Sequence, residues 1–149
     1  MPIIPLEFQN IYNKDPFVVV YSLPGATDQI AANYGVIFNV QFSCEILGFS
    51  VSHGSISSDA TLNLEKLITT VASGSGVKLL TSAISTSVST NVVKHGALLI
   101  SGTARRLLRG DRLGIVTSGT LGLVTNVVTT TIIKPLGKGH YQIHGESFI

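Results

Sequence analysis

From Tyr34 to His53 the chain alternates apolar and polar side chains, with Val36, Phe38, Val40, Phe42, Cys44 and Ile46 separated by Asn39, Gln41, Ser43 and Glu45. A period of two places those six residues on one face of a pleated strand, whereas a helix would scatter them. Beyond Ile46 the phase reverses. Leu47, Phe49 and Val51 are apolar, and Gly48, Ser50 and Ser52 are small or polar. One extra residue has to be accommodated near Gly48, which predicts a bulge or corner there. At about 3.3 Å per residue the whole segment is longer than an ordinary strand, so it is expected to bend or to pass from one sheet to another.

Five further segments rich in Val, Ile, Leu or Thr read as strands: 17–23, 61–67, 91–103, 112–117 and 123–134. Gly, Ser and Asp separate them, and only 76–89 has a pattern that suits a short helix. Strands spaced in this way, without regular helical segments between them, predict an all-β fold, an antiparallel β-sandwich or jelly roll. The sandwich is expected over residues 17–134. Residues 1–16 form an extended N-terminal arm, because Pro2, Pro5 and Pro16 oppose a helix among Ile3, Ile4, Leu6, Phe8, Ile11 and Tyr12. The arm packs along its own domain or latches a neighbouring subunit. Residues 135–149 carry Gly137, Gly139 and Gly145 and read as an irregular C-terminal tail, with Tyr141, Ile143, Phe148 and Ile149 available for docking.

Composition narrows the picture. Charged residues make up 12% of the 149 residues, about half the usual share, and mean hydropathy is +0.43. Such a surface suits a subunit partly covered by copies of itself or by a partner. No apolar run approaches the roughly 20 residues of a membrane-spanning helix. The first residues lack the basic and apolar regions of a signal peptide, so synthesis in the cytoplasm is expected. A net charge of +2 does not favour nucleic acid. One cysteine, Cys44, leaves stability to packing and assembly rather than to an internal disulfide.

Candidate chemistry is sparse. On a strand, His140 and His144 would lie about 13 Å apart, too far to share an ion, and Gly139 and Gly145 disfavour the helix that would join them. His53 and His95 have no matched spacing. Gly137-Lys138-Gly139 does not complete a phosphate loop, and Ser73-Gly74-Ser75-Gly76 is not a nucleophile elbow but a flexible loop. Arg109-Gly110-Asp111 reads as a turn in which Asp caps local amides. Arg105, Arg106, Arg109 and Arg112 concentrate charge within eight residues, as a solvated loop or as an ionic contact for an acidic patch on a partner. No catalytic, cofactor or metal set emerges, and the chain is read as a structural or binding subunit, not an enzyme.

Three pieces in order carry a family resemblance: Thr61-Leu62-Asn63-Leu64-Glu65-Lys66-Leu67, Gly74-Ser75-Gly76-Val77-Lys78-Leu79-Leu80, and Leu107-Leu108-Arg109-Gly110-Asp111-Arg112-Leu113. With them, residues 17–134 resemble the short jelly-roll cement, or decoration, proteins of tailed bacteriophage heads. The resemblance implies a homotrimer on the capsid exterior that clamps neighbouring major capsid proteins. The expected partner contacts are Ile3, Ile4, Leu6, Phe8, Ile11, Tyr12, Arg105, Arg106, Tyr141 and Phe148. A carbohydrate-binding or adhesin module at a virion surface, and a tail or baseplate fitting, remain open alternatives.

Overall fold

The structure, a computed structural model, describes residues 15–23, 35–55, 60–119 and 124–136, together with the backbone of 142–143 and 146–147. Its strands are β1 (Phe17–Leu23), β2 (Val36–Asn39), β3 (Cys44–Ser52), β4 (Thr61–Leu67), β5 (Val77–Lys78), β6 (Ile84–Ser85), β7 (Lys94–His95), β8 (Arg106–Leu107), β9 (Arg112–Ser118), β10 (Val127–Pro135), β11 (Gln142–Ile143) and β12 (Glu146–Ser147). No helix occurs among the described residues. One sheet has the order β1-β10-β3-β7, with β8 also on β3, and the other has β2-β9-β4-β5, with β6 also on β4. All pairings are antiparallel. β11 and β12 pair with each other as a separate hairpin. The chain is an antiparallel β-sandwich of the jelly-roll kind.

The long alternating segment divides as its pattern requires. β2 pairs with β9 in one sheet and β3 with β10 in the other, so the chain changes sheets across residues 40–43. The corner is tied to the turn before β9, where Val40 donates to the Asp111 carbonyl at 3.0 Å and Gly110 donates to the Val40 carbonyl at 3.0 Å. Within β3, Ile46 pairs with Ile133 and Gly48 with Ile132, which leaves Leu47 without an opposite residue. This is the bulge. It turns Leu47 outward and returns Phe49 and Val51 to the interior side that Cys44 and Ile46 occupy.

Between the sheets lie Ile46, Phe49 and Ile133 from one and Leu62, Leu64, Leu113 and Ile115 from the other, all buried in one cluster. Each such side chain contributes about 1.5–3 kcal/mol relative to exposure. At the β1 end of the sandwich, Phe17 lies 6.0 Å from Phe38 and 5.8 Å from Phe42 between ring centroids, joining β1 to the β2 side.

Three expectations are corrected. The segment 76–89 holds β5 and β6 and no helix, because its backbone pairs with β4 on both sides of residues 79–83. The segment 91–103 is not a continuous strand. Only Lys94–His95 pair with β3, with one isolated bridge from Leu98 to Leu80. Asn91 adopts φ 57°, and a Cβ on Gly96 would come within 2.8 Å of the Leu80 side chain, so the chain is bent and held close where a ladder would need it extended. β10 starts at Val127 after Asn126 at φ 51°, later than the segment 123–134 suggested.

The bulge makes a sharp distinction between neighbours. Ile46→Ala is expected to lower unfolding free energy by about 2–5 kcal/mol, and Leu47→Ala by well under about 1 kcal/mol. Urea titration of both variants checks this, and equal losses would contradict the register.

Candidate interaction surface

The outer face of the first sheet is built by alternation in β1, β10 and β3. Register aligns Val18, Ile132 and Gly48 in one row, Val20, Thr130 and Ser50 in the next, and Ser22, Val128 and Ser52 in a third. None of these side chains is charged. Val18 is 54% exposed and Val20 61%, with Ile132 and the bulged Leu47 also exposed. β1 is an edge strand, and among the described residues nothing pairs with its outer side. An uncharged seven-residue edge beside an apolar face lacks the devices that keep sheets apart in a free monomer.

These residues were not singled out by the sequence. Phe17-Val18-Val19-Val20-Tyr21 is apolar in both phases, so alternation cannot say which set faces out; only that excess of apolar positions was available as a signal.

Of the expected partner contacts, Ile3, Ile4, Leu6, Phe8, Ile11, Tyr12, Tyr141 and Phe148 lie outside the described residues, as do the side chains of His140 and His144. Arg105 and Arg106 are described. Arg105 forms an ion pair with Glu45 at 3.0 Å, both side chains being about three-quarters covered. The Nε atoms of Arg105 and Arg106 are buried without a hydrogen-bond partner. Arg112 donates to the Val71 carbonyl. Within the basic run, Arg105 and Arg112 are thus engaged in separate local contacts. Arg109-Gly110-Asp111 is a turn, with Gly110 at φ 96° and the Asp111 carboxylate accepting from the Leu108 amide at 2.8 Å.

The loop 73–76 is not free. Glu65 on β4 is buried, and its carboxylate accepts from the Ser73 hydroxyl at 3.3 Å, the Gly74 amide at 2.8 Å, the Gly76 amide at 3.1 Å and the Lys78 ammonium at 3.2 Å. Four donors offset the burial of one negative charge. A Cβ on Gly76 would lie 2.5 Å from the Lys66 carbonyl oxygen, so glycine is needed for the close approach. Over the outer face of the second sheet, Thr61, Asn63, Lys78, Ala83, Val116 and Ser118 line an open depression of about 140 Å³. No aromatic side chain borders it. Among the described residues no group of three or more His, Cys, Asp or Glu converges on a common point.

A chain of the cyanophage Pam1 capsid asymmetric unit has the same fold, with a TM-score of 0.52 over 80% of this chain and 84% of that chain, at 11% sequence identity. No protein-family model matches the sequence, and no curated protein matches it by sequence. At that identity the likeness establishes the architecture.

Burial pushes the Cys44 thiol up to about 12, with the Asp111 charge adding to the shift. Raised in the fold, that pKa favours the native state below the ordinary thiol range and ceases to do so as pH rises through the folded value. At about pH 8 the native thiol is expected to resist a thiolate-selective disulfide reagent, and the urea-unfolded chain to react fully; rapid labelling of the native protein would contradict the placement. Glu65→Gln turns an amide N–H toward donors and is expected to cost about 1–3 kcal/mol, against about 0–1 for Glu45→Gln at the more exposed ion pair, measured by denaturant unfolding.

Proposed function

We propose that this chain is a non-enzymatic structural protein of a bacteriophage virion, a cement or decoration subunit that binds the capsid exterior and clamps neighbouring major capsid proteins. The observation that carries the proposal is the uncharged apolar face of Val18, Val20, Ile132 and Leu47 beside the unpaired edge of β1. A face of this kind is costly on a free monomer and useful on a subunit that lies against a shell or against its own copies. The fold shared with a capsid chain of cyanophage Pam1 supports a virion role. The low charge of the whole sequence supports extensive covering.

In this reading the protein is made in the host cytoplasm and assembles as a homotrimer, with each weak contact multiplied by capsid symmetry. The proposed contacts extend to Ile3, Ile4, Leu6, Phe8, Ile11 and Tyr12 in the arm, to Arg105 and Arg106, and to Tyr141 and Phe148 in the tail. Arg105 would meet an acidic partner in competition with Glu45. A glycan-binding module has less support. The depression on the second sheet is smaller than the roughly 300–1,000 Å³ of typical small-molecule sites and offers no aromatic platform.

The purified protein is expected to cosediment with expanded phage heads and to show a trimeric mass in solution. Val18→Lys combined with Val20→Lys is expected to weaken head binding or trimer formation by at least about tenfold while lowering the melting temperature little, since both side chains are already exposed. A monomer that ignores heads would overturn the proposal.

A further inference from the structure

The apolar rows on the outer face of the first sheet end in a charged one. Cys44, Ile46, Leu107 and Ile133 are buried, so alternation turns Glu45, Arg106 and Lys134 outward. Register sets Lys134 of β10 opposite Glu45 of β3, and Glu45 opposite Arg106 of β8. A carboxylate therefore stands between two cations, one outer row away from Ile132 and Val18. Arg105 joins them from the turn before β8, donating from an Nη group to Oε1 of Glu45 at 3.0 Å.

The turn that carries these arginines is fixed by its own backbone. The Arg105 amide donates to the Ser101 carbonyl at 3.3 Å, the Arg106 amide to the Thr103 carbonyl at 3.2 Å, and the Ala104 amide to the Ser101 hydroxyl at 3.3 Å. Both sheets hold its end: Ile46 of β3 donates its amide to the Arg105 carbonyl at 3.1 Å, and Lys66 of β4 its ammonium to the Arg106 carbonyl at 3.1 Å. At the other end of the turn, the Leu99 amide donates to the Leu79 carbonyl at 2.9 Å, and the next residue, Ile100, is 94% exposed. A rigid turn thus presents an isoleucine at one end and two arginines at the other. The Nε atoms of both arginines are covered without an acceptor among the described residues. With Nε covered, Arg106 can meet a carboxylate end-on, through its two Nη groups, in the bidentate geometry that guanidinium favours. Because its backbone is already fixed and its inner nitrogen already covered, little further ordering is needed on binding.

We propose that turn 100–106 and Lys134 form a docking site for an acidic segment of a partner protein. Carboxylates of that segment meet Arg106 and Lys134 on either side of Glu45, and an apolar side chain of it covers Ile100. Glu45 holds the cations together on the sheet face and competes with the incoming acid, so it limits the affinity that it organises. The same carboxylate opposes a run of closely spaced phosphates, and an aliphatic tip gives nucleic-acid bases no platform for stacking. The inference rests on the reading above that gives Arg105 and Arg106 a partner, and it holds whichever protein that partner is.

Fluorescence anisotropy with the full chain tests it, using labelled poly-L-glutamate and a random copolymer of glutamate and tyrosine at about 50 mM salt. Saturable binding that weakens as salt rises is expected. Arg106→Ser combined with Lys134→Ser is expected to weaken it by at least about tenfold, and Arg109→Ser, which removes a cation outside the row, by less than about twofold. Glu45→Gln is expected to tighten it by at least about twofold, the opposite of what the loss of a merely structural ion pair would give. The copolymer is expected to bind more tightly than poly-L-glutamate, and Ile100→Ser to remove that gain alone. Absence of binding, equal losses in Arg109→Ser and the double variant, or weakening by Glu45→Gln would overturn the proposal. So would a copolymer without a gain, a gain that survives in Ile100→Ser, or tighter binding of a single-stranded oligonucleotide than of poly-L-glutamate. If the double variant does not fold, amide shifts of the unsubstituted protein decide: poly-L-glutamate is expected to move residues 102–106 and 134, and shifts centred elsewhere contradict the site. A protein that binds the polymer at this row but ignores phage heads would lose the capsid role and keep the docking site.

Discussion

Burying one face of β3 along its whole length is the constraint on which the first sheet depends. β3 pairs with β10 on one side and with β7 and β8 on the other, so a strand in the wrong phase would disturb three neighbours at once. A regular strand carrying Cys44 and Ile46 inward would carry Phe49 and Val51 outward. The single unpaired residue at Leu47 removes that conflict. The interior gains two large side chains, and one leucine is left on the outside. The same outer face carries the valines of β1, so a solution to a packing problem also enlarges the apolar surface that the proposed assembly would cover.

Many of the remaining strands are only two residues long, and the chain between them depends on a few polar anchors. Glu65 gathers the loop before β5 with four donors, and Lys94 gathers the loop before β7 with three acceptors. The two sites are chemical opposites: a buried carboxylate satisfied by two backbone amides, a hydroxyl and an ammonium, and an ammonium satisfied by two backbone carbonyls and an imidazole nitrogen. In a chain with so few charges, each charge that is turned inward fixes a long stretch of backbone. On the outer face of the first sheet charge is confined to the Lys134 and Glu45 end, and the rows that hold Val18, Val20 and Ser22 carry none, the condition that makes that part suited to association.

The sequence by itself determined the all-β class, the strands at Phe17–Leu23 and Thr61–Leu67, the phase reversal at Gly48 and the turn at Arg109-Gly110-Asp111. Each rests on a local cause: alternation with a period of two, or a residue whose backbone preference is its own. The apparent strand at 91–103 and the possible helix at 76–89 were misread because apolar runs do not reveal whether a neighbouring strand is free to accept them. The tertiary structure decided that β3 takes only two residues from the first of those segments, and that β4 takes two short pieces from the second. It also decided which valines of β1 face outward, that Glu45 takes up Arg105, and that His53 and Lys94 meet across 41 residues of chain. Such pairings follow from how two sheets enclose a common core, a long-range condition that no local pattern of residues encodes.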